Sequence, residues 1–338
     1  MRSSLSRIAA LLAAFALPTL AFAHEVYVLT PAEIKSGLYT PSFNELATMF
    51  SSFSQFVFWG FIAALTVLIV FLISIIRPLE RWLDPVLARG RRYAEPIARI
   101  TLGISFLAAS YYGATYGPEL PIIATFGAMT LLVRAVLALS GILLLIGVGV
   151  EVAALLAFAL FAYSVYAHGL YMLTYANYFG EILLLLVLGT WGGKRLFDGK
   201  LAPYAFPFLR VCFGISLLYA SLYAKIMYNN LALQVATLPL AGHATSIAQV
   251  FGFEPHFLVL GAAIVEIVLA LFFILGIEIR FASLFLLFWL SLSLWYFGEV
   301  VWPHVILIGI PIAFMFYGYD RYSLEGRFFK RDGREPVL

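Results

Sequence analysis

Five ionisable side chains fall in or beside stretches that carry almost no other charge: Arg134, Glu181, Lys225, Glu266 and Glu299. A charge at the centre of a bilayer costs about 2.5–3.5 kcal/mol on insertion scales, so such groups face a partner or a wet cavity. Glu266 precedes Gly276 by ten residues, about 15 Å of helix, which is near mid-bilayer. Arg134 precedes Gly147 by thirteen, about 20 Å by the same rise, in the outer half. Glu181 is similarly placed in its helix, and Glu299 sits at or near the outer interface. Two roles suit the set. The carboxylates can carry protons, or a cross-pair such as Arg134 with Glu266 can neutralise both charges and staple two helices.

The five histidines, His24, His168, His243, His256 and His304, all fall toward one side of the chain's expected topology. Copper or haem iron takes imidazole ligands, and His24 would offer both an amine and a ring nitrogen if it became the mature N-terminus. The other spacings match no metal motif, and His304 after Pro303 suits a structural hydrogen bond. Tyrosines crowd the same side. Most read as an aromatic belt, while Tyr112 and Tyr223 are the expected lining of an outward-opening pocket. Lys225, at a helix end, also suits snorkelling to the interface.

These residues need a membrane around them. Of 338 residues, 63% are hydrophobic and only 12% charged, against about 45–50% and about 25% in soluble domains. Mean hydropathy is +0.98. Too little polar surface remains to cover a globule, so a soluble or disordered chain is excluded. Net charge is +3 with no basic face, so nucleic acid is not an expected partner. The lone cysteine, Cys212, excludes an internal disulfide and any multi-cysteine site.

Arg2 and Arg7, the apolar run Ile8–Leu20 and Ala21-Phe22-Ala23 read as a cleavable signal peptide over residues 1–23. An external arm follows at 24–53, then an extra span and a basic cytoplasmic loop at 54–96. Further spans fall near 97–116, 128–149, 151–169, 174–193, 205–227, 257–276, 279–297 and 300–318, nine in all after cleavage. With the mature N-terminus outside, nearly every arginine lands on the cytoplasmic side, as the positive-inside rule demands. A multi-pass protein of a bacterial-type inner (plasma) membrane is expected.

The chain is also duplicated. Arg99-Ile-Thr-Leu-Gly-Ile-Ser-Phe-Leu-Ala-Ala-Ser-Tyr-Tyr aligns with Arg210-Val-Cys-Phe-Gly-Ile-Ser-Leu-Leu-Tyr-Ala-Ser-Leu-Tyr, eight of fourteen positions identical. Tyr178-Phe179-Gly180-Glu181 recurs as Tyr296-Phe297-Gly298-Glu299, which makes the two glutamates expected equivalents. Gly147 and Gly276 each end one apolar helix before another begins. The expected fold is all-α: two parallel four-helix repeats at 97–193 and 205–318, joined by a cytoplasmic linker at 194–204 and closed by a basic cytoplasmic tail at 319–338.

The second repeat resembles the DoxX family of four-helix membrane proteins. The resemblance rests on Arg210 and Gly214, Ala224-Lys225, Glu266, Leu275-Gly276 with Arg280 and Ala282, and Gly298-Glu299. The first repeat matches at Arg99, Gly103, Gly147, Ala153, Gly180 and Glu181. It departs at Ala114, Leu137 and Glu151, which stand where Lys225, Glu266 and Arg280 stand. That family includes the membrane subunit of thiosulfate:quinone oxidoreductase. The resemblance therefore implies a component of a quinone-linked redox system with redox partner proteins. Glu266, Arg134, Glu181, Glu299 and Lys225 are then the chemical candidates, and Tyr112, Tyr223 and His304 the contacts to a quinone head group. A non-catalytic assembly subunit, and a transporter of a small solute or metal ion, are the competing readings.

Overall fold

The computed structural model describes residues 53–76, 80–189, 199–227, 229–237, 245–252, 254–297 and 302–328. The expected signal peptide, nearly all of the arm, His24, His243 and Glu299 lie outside them. Four stretches of described helix are long and apolar enough to cross a membrane: Ile122–Ile146, Val150–Leu188, Ala202–Met227 and Pro255–Leu275. The apolar helices Ile279–Leu294 and His304–Tyr317 are shorter.

The elements follow from the breaks in the apolar runs. Helix α1 spans Phe53–Ile76 and α2 Glu80–Leu87. The first repeat holds α3 (Ala94–Tyr112), the short α4 (Ile122–Phe126), α5 (Thr130–Ile146), α6 (Val150–His168) and α7 (Ala176–Leu188). The second holds α8 (Ala202–Ser221), the connecting α9 (Asn229–Thr237) and α10 (Ile247–Phe251), then α11 (Pro255–Leu275), α12 (Ile279–Phe297) and α13 (His304–Tyr317). A last short helix, α14, covers Leu324–Phe328. The long stretch Val150–Leu188 is not one rod. Its chain reverses after His168, where Gly169 takes φ +59°, and α6 packs against α7.

The duplication extends from sequence into contacts. Helix α3 crosses α5 where Gly103 faces the Gly141 carbonyl, and a Cβ on Gly141 would stand 2.8 Å from the Gly103 oxygen. Helix α8 crosses α11 in the same way, a Cβ on Gly214 coming 2.7 Å from the Ala270 oxygen. The Arg99 guanidinium donates to the Leu144 carbonyl, and Arg210 to those of Phe273 and Ile274. Each arginine thus satisfies the orphan carbonyls of a helix end, where the macrodipole also favours a cation. At the other end of the crossing, Ser110 donates to the Arg134 carbonyl at 2.8 Å and Ser221 to that of Ala263 at 3.4 Å. The helices stop at Gly147 and Gly276, both left-handed, and two residues later Gly149 and Glu278 again take positive φ.

One expected equivalence fails. Gly180 on α7 rests against Leu209 and Cys212 of α8, and Gly309 on α13 rests against Thr101 of α3. Thr101 and Cys212 are matched positions of the duplicated first helix, so the counterpart of Gly180 is Gly309, not Gly298. The glycines after α7 and α13, Gly189 and Gly318, keep the same offset. Tyr296-Phe297 end the third helix of their repeat, whereas Tyr178-Phe179 lie in the first turn of the fourth. The recurring tetrapeptide is therefore not the duplicated unit, and Ile310 occupies the place of Glu181.

Each repeat's fourth helix packs on the other's first: α7 on α8 and α13 on α3. Tyr317 and Asp320, at the foot of α13, reach both halves. The Arg91 guanidinium lies 4.4 Å over the Tyr317 ring, and Arg210 Nε donates to Asp320 at 3.1 Å. Both first helices therefore start at the same end, which makes the repeats parallel. That arginine end is further tied by Arg280 to Asp84 and to the Met315 carbonyl, and by Glu325 accepting from the Glu278 N–H at 2.7 Å. Residues 319–328 of the expected tail are thus folded under the bundle. Helix α1 sits on the second repeat, with Trp59 stacked on Phe257 at 5.8 Å.

Candidate functional site at the tyrosine end

The opposite end of the bundle gathers tyrosines. Helix α3 stops at Gly113 (φ +72°), and residues 113–122 close a tight loop through Ile122 N–H to Gly113 O and Thr115 N–H to Leu120 O. That loop holds Tyr116 and Glu119. The 3-10 turn Gly169–Tyr175 brings Tyr171 and Tyr175 beside it. Helix α8 continues as a π turn over Leu222–Met227, carrying Tyr223 and Lys225. A π turn adds a residue per hydrogen-bonded ring and re-aims side chains, a distortion frequent at functional sites.

Six tyrosine rings link the halves in sequence. Tyr219 stacks on Tyr223, and Tyr223 meets Tyr171 edge-on at 5.3 Å. Tyr171 contacts Tyr175, which in turn touches Tyr116 and Tyr178 at 5.9 and 6.0 Å. Glu119 lies among them. Its Oε1 accepts from the Tyr171 hydroxyl at 3.2 Å, while its Oε2 is buried without a hydrogen-bond partner among the described residues. Desolvation pushes its carboxyl up to about 7, against the smaller opposing pull of its backbone N–H and the Tyr171 bond. This acid at neutral pH can both hold and release a proton.

On the second-repeat side, Lys225 Nζ pairs with Glu266 Oε2 at 3.0 Å, with side chains 8% and 16% exposed. Glu266 therefore takes its partner from its own repeat, not from Arg134. Arg134 is exposed and donates through Nε to the Ser110 carbonyl at 2.8 Å and through Nη2 to that of Tyr111 at 3.2 Å. The reason is register: Arg134 is the counterpart of Ala263, one turn short of Glu266, and points at the end of α3. It caps a helix.

The remaining candidates separate. Tyr223 belongs to the cluster; Tyr112, its sequence equivalent, is 54% exposed and meets Tyr111 edge-on. Glu181 is fully buried on α7, its Oε1 accepting from Thr101 at 3.2 Å. His304 is buried in the first turn of α13. Among the described residues, no three His, Cys, Asp or Glu side chains are placed to hold a metal ion. Sequence reasoning missed Glu119 and Tyr171. An acid in a short Gly-Pro-Glu loop reads as solvated, and the signal that could have found it is its position among closely spaced tyrosines.

Fold and site together define a polytopic helical membrane protein with buried polar groups at one end. Residues 205–299 match the DoxX family model. The match runs through α8, α11 and α12, the helices that carry Lys225 and Glu266, and is consistent with a DoxX-like membrane family. No curated protein and no solved structure matches the chain.

Proposed function

We propose that this protein is an inner-membrane component of a quinone-linked redox system, crossing the membrane nine times with its tyrosine end outside and its arginine end cytoplasmic. The observation that carries this reading is a protonatable carboxyl, Glu119, hydrogen-bonded to a run of tyrosines that joins the two repeats beside the Lys225–Glu266 pair. A quinone supplies two-electron chemistry that takes up two protons. The chain's residues suit such a head group. The Lys225 ammonium and the Tyr223 hydroxyl can donate to its two oxygens, and the tyrosine faces can stack on its ring. Glu119 can give or accept a proton at neutral pH. The electrons come from a redox partner protein.

A second reading is favoured by one observation. Lys225 and Glu266 satisfy each other within one repeat, as the staples of a non-catalytic assembly subunit would. Titration of the purified protein in detergent with a short-chain quinone, followed by tyrosine and tryptophan fluorescence, separates the two. Saturable quenching that Tyr223→Ala and Glu119→Gln weaken supports the quinone site. A folded wild-type protein that shows no saturable quenching removes it and leaves the assembly role.

A further inference from the structure

Two carboxyl oxygens, Oε2 of Glu119 and Oε2 of Glu181, are buried with no hydrogen-bond donor among the described residues. Buried polar atoms without partners are rare enough in folded proteins that each calls for an explanation. Glu181 is the stronger case. Thr101 on α3 gives it one hydroxyl, Tyr178 lies about one turn before it on its own helix, and the neighbouring Gly180 contacts Cys212 of α8. No lysine, arginine or histidine among the described residues pairs with it. A carboxyl so placed is tolerated within a bundle in hydrocarbon as the neutral acid. The question is how its proton arrives.

The groups between the two acids are hydroxyls. Thr101 touches Glu181, and Ser105 lies one turn along α3 from Thr101. Ser105 Oγ is 2.8 Å from the Tyr178 hydroxyl. The Tyr178 ring meets Tyr175 at 6.0 Å, and its hydroxyl donates to the Tyr116 carbonyl at 3.1 Å. The Tyr175 hydroxyl and both Glu119 oxygens converge on Gly117, at a point a Cβ would fill. Exchangeable O–H groups are thereby spaced from the tyrosine end into the bundle interior, hydrogen-bonded directly at Tyr178–Ser105 and Thr101–Glu181.

We propose that Glu119 and Glu181 are the two ends of a proton line, with Tyr178 as its central relay. Exchange runs in two passes: the O–H bond of Glu181 breaks as one forms on ionised Glu119, and after Glu119 has exchanged its proton with water the transfer runs back to Glu181. Each intervening hydroxyl accepts a proton on one side and releases its own on the other, with hydroxyl rotation or a water closing the two gaps that no direct hydrogen bond spans, at Tyr175 and between Ser105 and Thr101. No electrons move. The line does not depend on the quinone reading and is tested without quinone.

The test is hydrogen–deuterium exchange of the protonated-carboxyl C=O stretch by infrared spectroscopy on the full chain in detergent, with Glu181→Gln assigning the band. The expected result is a Glu181 band that shifts promptly on transfer to deuterium oxide and shifts at least about tenfold more slowly in Tyr178→Phe. Ser105→Ala keeps the test open if Tyr178→Phe does not fold. Three results overturn the proposal: no band lost in Glu181→Gln, a band that does not exchange in the wild type, or equal exchange in the wild type and the folded variants.

Discussion

Lys225 and Glu266 form an ion pair whose members are each expensive to bury alone. Desolvating one charge in the bundle costs more than the pair gains in water, so the two are worth little together and much when separated. Glu266→Gln or Lys225→Met alone is expected to cost about 3–5 kcal/mol, and the double variant Lys225→Met/Glu266→Leu to recover most of it. Thermal unfolding of the four proteins in one detergent checks this; equal losses in single and double variants would show that the charges act independently. Glu119 makes a prediction of opposite character. Its folded carboxyl titrates at about 7 against an ordinary value of 4.5, so the folded state binds more protons than the unfolded chain between those values. Its contribution is fully present below about 4.5, falls as pH rises toward about 7, and is flat above. The change is at most about 3 kcal/mol. Glu119→Gln should flatten that part of the stability–pH curve. A curve unchanged by the substitution would place the carboxyl in water.

Helices meet at glycines in this bundle because backbones can approach only where no side chain intervenes. The crossings Gly103–Gly141 and Gly214–Ala270 are copies of one contact, with a backbone oxygen as the obstacle in each. Gly103→Ala and Gly214→Ala should therefore each destabilise by about 1–3 kcal/mol. Gly261→Ala, with nothing within 4 Å of its added Cβ, should be neutral or slightly stabilising. Melting curves of the three variants check the ranking, and a Gly214 variant as stable as Gly261→Ala would mean α8 and α11 are not in contact there. Much of this level was legible in the sequence. The paired arginines, the terminating glycines Gly147 and Gly276 and the serines at the far ends of α3 and α8 are spaced by the helix itself. What was not legible was register between helices. Arg134 and Glu266 stand one turn apart on matched helices, and that turn sends one to the end of α3 and the other to Lys225. The Tyr-Phe-Gly-Glu recurrence misled for a related reason. A four-residue match says nothing of which helix of a repeat it belongs to, whereas the contacts of Gly180 and Gly309 do.

The whole molecule is polar along its length. One end carries Arg91, Arg99, Arg210 and Arg280, tied to carbonyls, an aromatic ring and the acids Asp84 and Asp320. The other carries the tyrosines, with Lys225 neutralised and Arg134 spent on a helix end. Because both repeats start at the arginine end, the charge asymmetry of the loops adds up instead of cancelling, and inverted repeats would have split it between the two sides. By the positive-inside rule the arginine end is then the expected cytoplasmic end. Two exposed positions report on it: Tyr166 near the tyrosine end of α6, 86% exposed, and Arg92 before α3. In a Cys212→Ala background, Tyr166→Cys should react with a membrane-impermeant thiol reagent in intact cells, and Arg92→Cys only after the membrane is opened. The reverse pattern would invert the protein and open the Glu119–Glu181 line to the cytoplasm, so that protons taken up there would come from the other side of the membrane. Labelling of both positions from one side would break the spanning topology of the first repeat, since α3 and α6 could not then both run between the two ends.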